Sequence, residues 1–135
     1  MLRGDIIHKD LCYKIYGLFF EVHNALGRYR KEKEYGDYFE FLLNKNNVKY
    51  KREFRIDNIL GGEKYDCRNI CDFVIEDKIV LEFKNDVFIS KDDYLQTQRY
   101  LNALKFKLGI LVNFRQKSLA PRRVINHELN QTSNS

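Results

Sequence analysis

Cysteine and long apolar runs are both scarce in this chain. Its three cysteines, Cys12, Cys67 and Cys71, form no CxxC pair, and their odd number argues against a disulfide framework. We expect reduced thiols that pack as small hydrophobic groups. Lys, Glu or Asp interrupts every apolar stretch within a few residues, and residues 1–10 lack the continuous apolar segment of a secretory signal. These absences predict a soluble, cytoplasmic protein that does not associate with membranes.

The composition is that of an ordinary globular protein. Hydrophobic residues make up 44% of the 135 residues and charged residues 32%, a balance that excludes a disordered chain. The length suits a single domain, which we place at residues 1–126, followed by a polar C-terminal tail at 127–135. This domain is expected to fold alone or as a homo-oligomer. A net charge of +5 favours a polyanionic partner such as nucleic acid, because Lys and Arg side chains contact phosphates.

Two helical segments open the chain. Apolar residues recur with the spacing of one helical face over residues 7–26, and Gly27 then supplies a stop signal. After a basic stretch at 28–33, residues 35–43 carry a second apolar face that ends before Asn46. The pattern predicts either two neighbouring helices or one bent helix.

Strand patterns follow the helices. Apolar and charged residues alternate over 48–56, which predicts a half-buried strand, and turn-forming pairs come next at 57–58 and 61–62. Two further apolar segments, 71–75 and 78–84, flank a short polar tip. We interpret these two segments as a β-hairpin.

A helix and a strand complete the pattern. Ser90 and Asp93 have the spacing of a capping box, with Asp in place of the usual Glu, and open a helix that continues through Leu104. Residues 108–114 are typical of a buried strand. The order of elements predicts an α/β fold in which helices pack against a mixed sheet.

The hairpin brings two carboxylates together if its loop consists of residues 76–78. In that register Asp72 lies opposite Glu82, and an apolar set occupies the other face of the sheet. This set comprises Phe73, Ile75, Ile79, Leu81 and Phe83. A two-residue loop would mix Asp72 with the apolar set. Burial therefore selects the register that places Asp72, Glu82 and Lys84 on one face.

Opposed carboxylates on a sheet repel each other unless a counter-charge lies between them. A divalent cation supplies that charge, and oxygen ligands suit Mg²⁺ or Mn²⁺. Lys84 would then hold an attacking water or stabilise a phosphate oxyanion while the metal polarises the phosphoryl group. The pattern predicts phosphodiester hydrolysis. An ordinary ion pair between Asp72 and Lys84, with Glu82 in solvent, is the alternative.

The same residues resemble a known superfamily. Asp72, followed after nine residues by Glu82-Phe83-Lys84, is similar to the D…ExK signature of the PD-(D/E)XK nucleases. Gln96 and Tyr100 are similar to the QxxxY element of RecB-type members. Over about residues 11–114 the chain further resembles the GxxExxY family. The other motifs that carry this resemblance are Glu21-Val22-His23, Leu26-Gly27, Glu32 with Tyr35, and residues 108–114; Tyr29 replaces the glycine of the family's name.

The resemblance implies a restriction-endonuclease-like core with the element order α-β-β-β-α-β and a mixed central sheet flanked by helices. It implies that Asp72, Glu82 and the backbone carbonyl of Phe83 bind Mg²⁺ or Mn²⁺, and that Lys84 is the catalytic lysine. Glu32 would complete the metal site. Other glutamates near Glu32 in the sequence are alternatives for that role, namely Glu21, Glu34 and Glu40.

Gln96 and Tyr100 are one helical turn apart, so they would share a face and bracket the metal or a nucleic-acid backbone. Their alternative roles are a solvated Gln and a partly buried Tyr. His23 is expected to have a structural role. The basic stretch 28–33, with Tyr29 inside it, either tracks phosphates and stacks on a base or forms a solvated charged turn.

The sequence thus predicts a metal-dependent nuclease that acts on DNA or RNA. One alternative is a catalytically inactive nucleic-acid-binding or regulatory module of the same fold, because fold does not dictate function. Another is a structural protein that uses exposed aromatic side chains to bind a protein partner.

Overall fold

The structure is a computed structural model that describes residues 7–56 and 69–129. In chain order, its helices and strands are α1 (Lys9–Leu26), α2 (Glu32–Lys45), β1 (Tyr50–Arg55), β2 (Ile70–Ile75), β3 (Ile79–Lys84), α3 (Lys91–Leu104), β4 (Leu108–Asn113) and β5 (Arg122–Ile125). This order contains the predicted α-β-β-β-α-β core, from α2 to β4. One further helix precedes the core and one further strand follows it.

The two N-terminal helices are separate rather than one bent helix. Gly27 ends α1 with a φ of 78°, a left-handed conformation that glycine adopts without strain, and its N–H donates to the His23 carbonyl. The Tyr35 hydroxyl of α2 donates back to the Gly27 carbonyl at 2.6 Å. His23 has the predicted structural role, since its Nε2 donates to the Gln116 carbonyl at 2.8 Å.

The strands form one mixed sheet in the order β1-β2-β3-β4-β5. β3 and β4 run parallel, whereas every other neighbouring pair is antiparallel. The parallel pair requires a crossover, which α3 provides. Sequence patterning missed β5, because two of its four residues are arginines and its apolar residues do not alternate with polar ones.

The hairpin has the predicted register. Ile75 pairs with Ile79, and Phe73 pairs with Leu81. The loop therefore consists of residues 76–78, and the Lys78 N–H closes it by donating to the Ile75 carbonyl at 2.9 Å.

Helices cover both faces of the sheet. On one face, α1 and α2 enclose an aromatic cluster in which the Phe39 ring centre lies 5.1 Å from those of Phe73 and Phe83 and 5.3 Å from that of Phe19. On the opposite face, α3 packs over a second core. That core includes Val74, Val80, Tyr100, Leu101 and Leu111.

β1 reverses the face that it presents at Glu53. Arg52 lies opposite Phe73 and pairs with two carboxylates of α2, whereas Phe54 lies opposite Cys71 and packs against the second core. In a regular strand, residues two apart point to the same face. Glu53 has a φ of 51°, in the left-handed region that few non-glycine residues adopt, and this conformation turns the strand over.

Several sequence predictions fall outside the described residues, namely the turns at 57–58 and 61–62, Cys67, and residues 130–135 of the predicted tail. The other two cysteines, Cys12 and Cys71, are free and buried, as expected. Burial raises the pKa of both thiols and makes them poor nucleophiles. Among the described helices, none combines the length and apolar character that a membrane span requires.

Candidate active site

The candidate site lies where the β2–β3 ladder ends. Beyond the pair of Phe73 and Leu81, side chains take over the bonding between the strands. The Asp72 N–H donates to Glu82 Oε2 at 2.8 Å, and the Phe83 N–H donates to Asp72 Oδ2 at 2.7 Å. The structure thus brings Asp72 and Glu82 together, as predicted from the register.

Glu82 is buried, and Asp72 beside it is half-buried. Glu82 is only 5% exposed, and burial followed by repulsion from Asp72 raises its pKa well above the ordinary value. Burial also raises the pKa of Asp72 to about 6, although the hydrogen bond from Phe83 opposes this rise. A desolvated pair of acidic groups is costly unless a cation compensates for it. The pair therefore has the electrostatics of an ion-binding site.

Lys84 is held beside this pair by α3. Its Nζ lies 3.3 Å from Asp93 Oδ1, and both side chains are 19% exposed. Burial opposes the charge on Lys84, but the carboxylates of Asp93 and Glu82 outweigh burial and raise its pKa. The expected alternative, an Asp72–Lys84 ion pair with Glu82 in solvent, is wrong, because Lys84 pairs with Asp93 and Glu82 is buried.

Asp93 was predicted only as a helix cap, and it serves as one. Its Oδ2 accepts the Ser90 N–H at 3.0 Å, while its own N–H donates to Ser90 Oγ at 3.1 Å. The second carboxylate oxygen is left to pair with Lys84. In the sequence, the one signal for this contact with Lys84 was an aspartate at a position where a capping box usually has glutamate.

Glu32, in the first turn of α2, lies on the other side of the site. Its Oε2 accepts the N–H of Asn85, the residue after Lys84, at 3.2 Å. The residue is exposed, yet desolvation of its carboxylate raises its pKa, and its charge in turn raises the pKa of Asp72. Of the glutamates considered, Glu34 pairs with Arg30, and Glu40 bonds to Tyr50 and Arg52.

A cleft of about 230 Å³ opens onto Asp72 from the α2 side. It is lined by Glu32, Lys33, Gly36, Arg52, Glu53, Asp72, Phe73 and Phe83. Glu53 reaches this cleft through the reversal of β1, and its charge also raises the pKa of Asp72. The alternating pattern of β1 did not predict that Glu53 lines the site, because a regular strand would not give this residue a left-handed conformation.

Gln96 and Tyr100, the two predicted site residues on α3, have different surroundings. Gln96 lines a cleft together with Lys84 and Asp93 on the α3 side, so it lies near the predicted lysine. Tyr100 is 1% exposed in the second core, and its hydroxyl donates to the Ile70 carbonyl at 3.4 Å. Burial followed by repulsion from Glu82 raises the pKa of this hydroxyl. Tyr100 therefore packs behind Glu82, while Gln96 faces a cleft.

The donor set suits a hard cation. Within residues 7–56 and 69–129, no group of three or more His, Cys, Asp and Glu side chains is arranged to hold a metal ion. The adjacent oxygen donors of Asp72 and Glu82 nevertheless match Mg²⁺, which proteins often bind through one or two carboxylates while it retains several waters. A third protein carboxylate is therefore not essential for a fit.

The mixed five-stranded sheet flanked by helices, with this acidic pair where the β2–β3 ladder ends, is a restriction-endonuclease-like fold. A family model described as the PD-(D/E)XK nuclease superfamily matches residues 9–124. The chain belongs to this superfamily. Searches of curated proteins and of solved structures found no match.

Proposed function

We propose that the protein is a metal-dependent nuclease that hydrolyses phosphodiester bonds in DNA or RNA. The observation that carries this proposal is the desolvated pair Asp72 and Glu82 beside Lys84 at the open end of the β2–β3 ladder. Membership of the PD-(D/E)XK superfamily supports it. The motifs at Glu32 and Tyr35 favour the GxxExxY family within that superfamily.

Asp72, Glu82 and the Phe83 carbonyl would hold Mg²⁺ or Mn²⁺. The N–H and C=O of one strand residue point to the same side, and the Phe83 N–H already bonds Asp72, so its carbonyl also points to this side. When bound, such an ion polarises the phosphoryl group and acidifies a water molecule. Glu32, across the cleft, would contact this ion through water.

Lys84 would stabilise the negative charge that develops on the phosphate oxygens. Its ammonium is already fixed by Asp93, so little reorganisation is needed when that charge appears. Gln96, in the same cleft, would position the nucleic-acid backbone. Tyr100 would support Glu82 from behind.

The test is cleavage of plasmid DNA and of an RNA transcript with Mg²⁺, with Mn²⁺ and with EDTA. We expect metal-dependent cleavage that Asp72→Asn and Lys84→Ala each abolish. Matched controls are Asp77→Asn and Lys78→Ala at the exposed hairpin tip, which should cleave normally. Full activity of either site variant would exclude this site.

A catalytically inactive binding module is the second candidate. It keeps the same fold and the same acidic pair without turnover, because fold does not dictate function. This candidate predicts salt-sensitive binding of nucleic acid without turnover in any divalent metal. Calorimetric titration of Mg²⁺ and Mn²⁺ into the wild type and Asp72→Asn separates the two, because only the nuclease requires heat of binding that depends on Asp72.

A further inference from the structure

Tyr29 lies in the loop between α1 and α2 with most of its surface in solvent. The residue is 74% exposed, and the guanidinium carbons of Arg28 and Arg115 lie 5.2 Å and 5.5 Å from the centre of its ring. Guanidinium groups at this distance interact favourably with the face of an aromatic ring. The surface therefore offers an accessible ring with two cations beside it.

The two arginines are fixed by hydrogen bonds rather than extended freely into solvent. Arg28 Nε donates to the Arg115 carbonyl at 2.7 Å, and Arg115 Nε donates to Asn85 Oδ1 at 2.6 Å. Both residues are half-buried. Preorganised side chains lose little conformational entropy when a ligand binds.

Within the part of the chain that the structure describes, the charge of these arginines is not taken up by acidic side chains. In the basic stretch before α2, Arg30 pairs with Glu34 and Lys33 pairs with Asp37. Among residues 7–56 and 69–129, neither Arg28 nor Arg115 forms an ion pair with a carboxylate. Arg28 and Arg115 therefore keep their positive charge available to an anionic ligand at Tyr29.

Asn85 connects this surface to the candidate active site. It follows Lys84 directly, its side chain accepts from Arg115, and its N–H donates to Glu32. Asn85 Nδ2 also donates to the Arg30 carbonyl in the Tyr29 loop. A strand bound at Tyr29 would therefore lie next to the site that cleaves it.

We propose that Tyr29, Arg28 and Arg115 form a stacking platform that binds an unpaired nucleotide next to the phosphate that is cleaved. This inference rests on the proposed nuclease function. Inside a duplex both faces of each base are covered by its neighbours, so a duplex offers the Tyr29 ring only the outer faces of its two end pairs, whereas a single strand offers an unpaired base at every position. Stacking on an aromatic side chain tolerates any base, while arginine contacts the phosphates. The substrate class is a single strand, or a duplex with a single-stranded extension.

The experiment measures binding without cleavage. Fluorescence anisotropy in EDTA at low salt compares a 12-nucleotide single strand, as DNA and as RNA, with a blunt duplex of the same sequence. The proteins are the wild type, Tyr29→Ala, Tyr29→Phe and Arg28→Gln. Tyr13→Ala is the matched control, because Tyr13 is an 84% exposed tyrosine on α1.

We expect Tyr29→Ala to weaken single-strand binding about tenfold, the loss of one stacked base, while Tyr29→Phe and Tyr13→Ala bind as the wild type does. Arg28→Gln should weaken binding and reduce its salt dependence. If Tyr29→Ala weakens binding of the DNA strand only or of the RNA strand only, that nucleic acid is the natural ligand. Equal losses for single strand and blunt duplex, or no effect of Tyr29→Ala, would overturn the proposal. Because cleavage is assayed separately, a stacking effect without turnover would refute the nuclease and not the platform.

Discussion

Asp72→Asn should stabilise the metal-free protein while it abolishes metal binding. The wild-type carboxylate is largely desolvated beside the buried Glu82, and its pKa rises from 3.8 to about 6 in the folded state. Above pH 6 this rise corresponds to about 3 kcal/mol of destabilisation, since each pH unit between the two pKa values is worth about 1.4 kcal/mol. Asparagine removes the charge and can still accept the Phe83 N–H. Its own buried amide reduces the gain, so we expect about 1–2 kcal/mol.

The stability that Asp72→Asn gains over the wild type should increase with pH. Below pH 3.8 the aspartic acid is protonated in both states, so it costs the folded protein nothing. As the pH rises towards 6, the unfolded chain ionises first and the folded wild type loses stability. The advantage of Asp72→Asn should therefore be small at pH 4 and complete at pH 7.5.

Urea unfolding in EDTA at pH 4 and pH 7.5 measures this difference. The matched control is Asp77→Asn, because hydrogen bonds to Lys49 and Lys51 lower the pKa of Asp77, and its replacement should give no gain at pH 7.5. Added Mg²⁺ should stabilise the wild type and leave Asp72→Asn unchanged. The reasoning fails if Asp72→Asn is no more stable than the wild type at pH 7.5, or if its advantage is equal at the two pH values.

Three predictions concern the packing and electrostatics around the site. Phe39→Ala should lower the free energy of unfolding by about 3–5 kcal/mol in urea, because it leaves a cavity among aromatic rings; a loss below about 1 kcal/mol would contradict the described packing. Gly109→Ala should cost about 1–3 kcal/mol in the same assay, since a Cβ there would lie 2.7 Å from Thr97 Cγ2; unchanged stability would show that α3 can shift. The hydrogen bond from the Tyr50 hydroxyl lowers the pKa of Glu40, so it stabilises the folded protein above pH 4.5 and this stabilisation is lost as the pH falls. Tyr50→Phe should therefore flatten the decline of the melting temperature between pH 6 and pH 3.5. Parallel curves for the wild type and the variant would count against this hydrogen bond.

Features set by neighbours in sequence were predictable. The glycine that ends α1 and the capping box of α3 are local, because each depends on residues within a few positions of one another. The hairpin register was also predictable, since a one-residue slip would have moved phenylalanines out of the aromatic cluster. These elements place Asp72 and Glu82 together without any knowledge of the remaining chain.

Features set by distant contacts were not predictable. The partner of Lys84 comes from a helix whose position over the sheet depends on a crossover, and Arg115 meets Asn85 across 30 residues of sequence. The left-handed conformation of Glu53 is also invisible in a pattern of alternating residues, because it depends on how β1 fits between two cores. Such contacts follow from tertiary packing rather than from local propensity.

The reversal at Glu53 also makes β1 a poor edge for the addition of another strand. β1 is an outer strand of the described sheet, and an outer strand with a straight, unpaired backbone invites another molecule to add its own strand. A backbone that turns over in mid-strand cannot keep a continuous row of hydrogen bonds to an added strand. The exposed side chains of Lys51 and Arg55 on β1 are also charged. The conformation that takes an acidic side chain to the cleft thereby also discourages edge-to-edge aggregation.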